Sequence, residues 1–82
     1  MSKFAKALAR LKRRPRDFTW NELQVVMAHL GYEELKGAGS RRKFFNKTTG
    51  VAISLHQPHP KPTIKPYAID IILEHLEEEG LI

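Results

Sequence analysis

Residues 31–55, GYEELKGAGSRRKFFNKTTGVAISL, decide the fold, because the hydrophobic pattern changes here from helical spacing to alternation. Two groups of turn-forming residues, Gly37-Ala38-Gly39 and residues 46–50, divide the stretch into three short strands. In the third of these, Val51, Ile53 and Leu55 alternate with small or polar residues, which is typical of a strand with one buried face. The sequence therefore predicts a three-stranded antiparallel sheet.

Helices are predicted on both sides of this stretch. Upstream, Thr19 and Glu22 have the spacing of a capping box, so a helix should begin at Trp20. Downstream, Pro66 suits the first position of a last helix in which apolar residues recur at helical spacing. The order helix, strand, strand, strand, helix predicts an α+β domain over residues 17–82, with both helices on the buried face of the sheet.

Residues 1–16 precede this domain and carry lysine and arginine but no acidic residue. Phe4, Leu8 and Leu11 fall at helical spacing, which predicts an amphipathic helix that ends at Pro15. We treat this segment as an extra basic N-terminal helix appended to the domain. Its apolar face suits packing on the domain, its basic face suits nucleic acid, and an interfacial membrane helix is a third interpretation.

Length and charge narrow the function classes. The chain has 82 residues and a formal net charge of +5, from 14 Lys+Arg against 9 Asp+Glu. The absence of cysteine excludes disulfides, thiol nucleophiles and cysteine-based zinc sites. No apolar run is long enough to span a membrane. We therefore expect a cytoplasmic protein with no membrane association, whose partner is a polyanion, nucleic acid first.

The basic, glycine-containing segment in the middle of the chain is the candidate RNA-binding surface. Glycines permit close approach of the backbone to a phosphate, and arginines bind phosphate oxygens through a planar fork. Strand alternation should place Phe44 inward and Arg41, Lys43 and Phe45 on the open face, where a base can stack on the ring. The alternative is an ordinary charged sheet face. The candidate RNA-binding residues are Lys36, Gly39, Ser40, Arg41, Lys43, Phe45, Lys61 and Lys65.

Two of the four histidines are candidates for proton transfer. His56 ends the third strand and His59 lies in the exposed proline-rich loop that follows, so either can reach the open face. His29 and His75 fall within predicted helices and are expected to be surface or boundary residues. With no cysteine and no carboxylate near His56 and His59 in sequence, we expect no metal and no cofactor.

A set of short motifs follows in a fixed order along about residues 19–81. They are Leu30-Gly31-Tyr32, Leu35-Lys36-Gly37, Gly39-Ser40 with Phe44, the strand Val51 to Leu55, His59-Pro60-Lys61 and Ile64-Lys65. This ordered set resembles the HicA family of toxin-antitoxin systems. The resemblance implies a double-stranded-RNA-binding-domain-like fold and a toxin that cleaves mRNA as a metal-independent endoribonuclease. It also implies a HicB-type antitoxin that neutralises the toxin in a hetero-oligomer.

One position departs from the family pattern. The family has Gly-Ser-His, whose histidine is regarded as catalytic, whereas this chain has Gly39-Ser40-Arg41. An arginine stays protonated and cannot act as a general base, although it can stabilise charge on a phosphate. The base is then His56 or His59, or the chain binds RNA without cutting it, or the arginine is an inactivating substitution. A purely structural partner-binding domain is a further alternative.

Overall fold

The structure, a computed structural model, describes residues 2–82 and has an α+β architecture, as the sequence predicts. The elements are α1 (Lys3–Lys12), α2 (Trp20–His29), β1 (Tyr32–Lys36), β2 (Arg41–Asn46), β3 (Ala52–His56) and α3 (Pro66–Glu78). The strands form one sheet in the order β1-β2-β3, with antiparallel pairing throughout. Helix α2 packs against β1 and helix α3 against β3, so the helices cover one face of the sheet.

The two faces of the sheet differ in burial as alternation predicts. Phe44 pairs with Ile53 in the register of β2 and β3, and both side chains are buried beneath the helices. The adjacent pair, Lys43 and Ser54, is exposed on the opposite side. Helices therefore cover the face that holds Phe44, and the other face, which we call the open face, carries Lys43 and Ser54.

The capping box at the start of α2 is formed in full. The Thr19 hydroxyl accepts a hydrogen bond from the Glu22 amide at 3.2 Å, and the Glu22 carboxylate accepts one from the Thr19 amide at 3.1 Å. Arg10 of α1 adds an ion pair, with its Nε 2.6 Å from Oε2 of Glu22. The Glu22 carboxylate therefore completes the N-terminal cap of α2 and also holds α1 against α2.

Helix α1 is packed into the hydrophobic core. Its contacts are with α2 and α3, so it lies on the helical side of the sheet, away from the open face. Leu11 is 0% exposed, and the ring of Phe4 stacks on the ring of His29 with centroids 3.8 Å apart. These contacts show that the apolar face of α1 packs on the domain. The division of the chain at residue 16 stays a prediction.

The proline-rich loop after β3 is tied to the rest of the chain at both ends. At its start, the Gln57 amide donates to the Ser40 carbonyl at 2.8 Å. At its end, the Ile64 amide donates to the Phe18 carbonyl at 2.8 Å, and Thr19 and Thr63 form an isolated antiparallel bridge. The loop therefore has a defined position between the start of β2 and the start of α2, although most of its residues are exposed.

Replacing Leu11 by alanine is expected to lower the free energy of unfolding by about 2 to 5 kcal/mol, because it leaves a cavity in a fully buried position. Urea denaturation followed by circular dichroism measures this. Lys12→Ala, at the exposed neighbouring position, is the control and should change stability by less than about 0.5 kcal/mol. Equal stability of the two variants would show that α1 contributes nothing to the core.

Glu22 is expected to make stability depend on acid pH. Burial alone raises the pKa of Glu22, but hydrogen bonds from Arg10 and Thr19 outweigh it and hold the pKa below its ordinary value. The resulting stabilisation is fully present above the ordinary glutamate pKa of about 4.3 and is lost as pH falls through the lower folded value. Glu22→Gln keeps a capping-box residue and removes the charge. Thermal melts between about pH 5 and pH 2 should therefore show a shallower loss of Tm in this variant, and parallel curves would contradict the assignment.

Candidate functional site

Three predicted site residues meet where β2 begins and β3 ends. Arg41 and His56 are cross-strand partners, and alternation places both on the open face. The Ser40 hydroxyl lies 3.2 Å from Nδ1 of His56, within hydrogen-bond distance. The Ser40 carbonyl accepts the Gln57 amide at 2.8 Å, which ties the same corner from the other side. We call Ser40, Arg41 and His56 the sheet corner.

The turn before β2 brings Ser40 to this position. The Gly37 amide donates to the Arg41 carbonyl at 2.9 Å, and the Arg41 amide donates to the Ala38 carbonyl at 3.1 Å. Gly39 has a φ of +59°, a conformation that side chains rarely adopt. A Cβ added to Gly37 would stand 3.0 Å from Cβ of Arg41. The positive φ therefore favours glycine at position 39, and a side chain at position 37 would require Arg41 to shift by a few tenths of an ångström.

Arg42 supports this turn from the buried side of the sheet. Its Nη1 donates to the carbonyl of Gly39 at 2.9 Å and to that of Arg41 at 2.7 Å. Its Nε lies 3.8 Å from Oε2 of Glu34, whose Oε1 accepts a hydrogen bond from Gln24 of α2 at 2.6 Å. Arg42 is not among the residues that the sequence predicts for the site. The sequence feature that could have indicated its role is an arginine at an inward-facing strand position two residues after Ser40.

Two grooves meet at His56. The first, of about 610 Å³, runs along the sheet past Leu35, Arg41 and Lys43, and we call it the sheet groove. The second, of about 470 Å³, lies between the proline-rich loop and the start of α3, and we call it the loop groove. The predicted site residues that line the loop groove are Ser40, His56, His59, Lys61 and Lys65.

Five basic side chains of the two grooves are available to a ligand. In the part of the chain that the structure describes, none of the five forms an ion pair with an acidic residue: Lys36, Arg41, Lys43, Lys61 and Lys65. All five are exposed. Their positive charge is therefore not neutralised within the protein, and an anionic polymer would be attracted to this side of the molecule.

The remaining predicted residues differ in how near they lie to the sheet corner. Lys36 ends β1 and lines the sheet groove, and Gly39 forms the turn. His59 lies in the loop groove, not on the sheet. Phe45 is half-buried opposite Ala52, farther along β2 than Lys43, and it lines neither groove. Stacking of a base on Phe45 stays a prediction.

The two helical histidines have partners on the other side of the sheet. His29 stacks on Phe4, and Nε2 of His75 lies 2.7 Å from the hydroxyl of Tyr32. Their places agree with the expectation of surface or boundary residues. Tyr67 is a residue that the sequence analysis missed. It is 63% exposed and lines the loop groove. The sequence feature that could have indicated it is an aromatic residue outside the apolar face of the last helix.

The chemistry that the site offers is proton transfer by imidazole beside fixed positive charge. Neutral histidine accepts a proton near neutral pH, and Arg41 and Lys43 can stabilise negative charge as it develops. Within residues 2–82, no three His, Asp or Glu side chains come close enough to hold a metal ion. Over the same residues no helix combines the length and apolarity needed to cross a bilayer.

The fold and the site together define a small α+β domain with helices on one face of a three-stranded sheet and a basic open face on the other. The family profile described as "HicA toxin of bacterial toxin-antitoxin" matches residues 20–77, well over half of the chain. The chain therefore belongs to the HicA family of toxins. A comparison with curated proteins gave no match, and a comparison with solved structures gave none. Helix α1 lies outside the matched residues.

Arg42→Met is expected to loosen the turn that carries Ser40, because it removes the two hydrogen bonds to the turn carbonyls. We expect the free energy of unfolding to fall by about 1 to 2 kcal/mol and the Gly37 amide to exchange with solvent several-fold faster. Denaturation and amide hydrogen exchange measure the two effects. Arg41→Met, at the exposed neighbouring position, should change stability by less than about 0.5 kcal/mol. Unchanged exchange at Gly37 would show that Arg42 does not hold the turn.

Proposed function

We propose that this HicA-family toxin binds mRNA across the sheet groove, cuts it at the sheet corner and thereby arrests translation. The observation that carries the proposal is the position of His56. It is the cross-strand partner of Arg41, the residue at the place of the family's histidine, and its Nδ1 lies 3.2 Å from the Ser40 hydroxyl. An imidazole is therefore present beside that position, although it comes from another strand.

His56 would act as the general base. In the tautomer that carries the proton on Nδ1, the ring donates to the Ser40 hydroxyl oxygen, and Nε2 has a free lone pair. Nε2 takes the proton of an RNA 2′-hydroxyl, and the 2′-oxygen attacks the adjacent phosphorus. The bond from phosphorus to the 5′-oxygen breaks, which leaves a 2′,3′-cyclic phosphate and a free 5′-end.

The other site residues would serve the phosphate and the leaving group. Arg41 and Lys43 lie on the open face beside His56 and would stabilise the negative charge that develops on the phosphate oxygens. The 5′-oxygen needs a proton as it leaves, and we assign its donation to the protonated ring of His59, which lines the adjoining groove. No step in this mechanism requires a metal ion.

A HicB-type antitoxin is the proposed protein partner, in a hetero-oligomer that covers the open face. Membership of the chain in a family of toxin-antitoxin toxins supports an antitoxin partner. The exposed leucine of the sheet groove, Leu35, and the exposed cations around it offer a surface for such a partner. Covering that surface would block access of RNA to His56.

A non-catalytic RNA-binding module is the second candidate, because Arg41 stands where the family has its catalytic histidine. In that case the same face would bind RNA phosphates through Arg41, Lys43, Lys61 and Lys65. Binding would weaken steeply with salt concentration, and the RNA would remain intact.

Purified protein incubated with a long mRNA in EDTA tests the two candidates. We expect cleavage by the wild type, with a rate about 10² to 10⁴-fold lower for His56→Ala and a smaller loss for His59→Ala. His29→Ala, on the helical side of the sheet, is the matched control and should cleave as the wild type does. Mass spectrometry of the fragments should show 2′,3′-cyclic phosphate ends.

Intact RNA at a high excess of wild-type protein, together with salt-dependent binding, would favour the binding module. Cleavage that persists in the variant lacking both His56 and His59 would show that neither is the base. Growth arrest of bacteria that express the wild type or these variants gives the same comparison in cells.

A further inference from the structure

We propose that the loop groove is a binding site for one unstacked base of single-stranded RNA, and that the ring of Tyr67 is the surface on which this base stacks. The inference rests on the proposed function, since it follows the same RNA strand past the sheet corner. The substrate would then be a single-stranded segment of RNA. Tyr67 would bind it in addition to the basic side chains of the two grooves.

Tyr67 has the exposure that stacking requires, on a backbone that the helix fixes. It is 63% exposed, whereas Ile69, two residues later on α3, is buried in the core. Pro66 occupies the first turn of α3, and the Ala68 amide donates to the Lys65 carbonyl at 3.0 Å. The helix therefore holds the backbone on both sides of Tyr67, and the exposed residue lines the groove.

The groove is a concave site with charge at its edge. Its volume of about 470 Å³ lies within the range of about 300 to 1,000 Å³ that is usual for small-ligand sites. Lys61 and Lys65 line it together with Tyr67, and neither lysine has an acidic partner among the described residues. An aromatic ring with cations beside it suits a base and the phosphate attached to it.

The connection between the two grooves sets the path of the strand. His56 lines both grooves, so an RNA strand that occupies both must pass over it. The linkage between the nucleotide on the sheet and the nucleotide beside Tyr67 then lies at the proposed base. Occupation of the loop groove would therefore place one particular phosphodiester for attack.

Base stacking on Tyr67 also excludes duplex RNA from this site. In an A-form helix each base is paired and stacked on its neighbours, whereas bases of single strands can be splayed onto an aromatic side chain. The groove that holds Tyr67 thus selects unpaired regions, and it does so without hydrogen bonds to a particular base.

The test measures the affinity for a fluorescein-labelled 2′-O-methyl oligouridine of about ten nucleotides, which the proposed mechanism cannot cut. We expect Tyr67→Ala to weaken binding about tenfold, the effect of losing one stacked base, and Tyr67→Phe to bind as the wild type does. Ile71→Ala removes a 46% exposed side chain from the same helix outside the loop groove, and it should leave the affinity unchanged. Fluorescence anisotropy at one fixed salt concentration measures all three.

An abasic 2′-O-methyl backbone of the same length shows whether the base is what Tyr67 contacts. On this probe Tyr67→Ala should bind as the wild type does, and an equal tenfold loss would overturn the stacking assignment. Lys43→Ala, in the sheet groove, should weaken binding of both probes. If Lys43→Ala weakens binding and Tyr67→Ala does not, the loop-groove site is wrong and the proposed function stands. If neither variant nor the wild type binds RNA, the proposed function fails as well.

Discussion

Burial of the Phe44 ring is the constraint on which the open face depends. Phe44 lies in the middle strand, is 2% exposed and packs near Trp20 of α2 with ring centroids 5.5 Å apart. Because side chains of a strand alternate between faces, a shift of one residue would expose Phe44 and bury Lys43 in the core. The cost of burying an unpaired charge forbids that register. The position of the cationic groups thus follows from packing one aromatic ring, before any ligand is considered.

The surrounding residues decide what each basic side chain does. Arg10 is held by Glu22 and Asp17, and Arg42 by carbonyls of the turn, so both are structural. Lys43 and Lys61 have no such partners among the described residues and stay available to an anion. Arg10 and Arg42 therefore count toward the formal net charge of +5 although groups of the protein already bind them, whereas Lys43 and Lys61 count toward it and can still attract an anion.

Local signals in the sequence predicted most of the fold. The capping box at Thr19 and the alternation around Phe44 involve neighbours in sequence, and each has one favourable geometry. The arrangement of the site depends on distances between residues that are far apart in sequence, and local sequence signals do not contain these distances. That His56 meets Arg41 follows from the register of two strands, and the place of Tyr67 beside the loop groove follows from how the loop is tied to Phe18. Tertiary contacts set both, so the sequence left His56 and His59 as equal candidates.

The pairing of Arg41 with His56 changes what the missing Gly-Ser-His motif means. A sequence motif identifies a chemical group by its position along the chain. A bound phosphate contacts that group according to its position in three dimensions. In an antiparallel sheet, paired residues of neighbouring strands lie side by side. The imidazole that is absent from β2 is therefore present on β3, within hydrogen-bond distance of the same serine. Whether a HicA protein has an imidazole beside this serine therefore has to be judged from the pairing of neighbouring strands as well as from the linear motif.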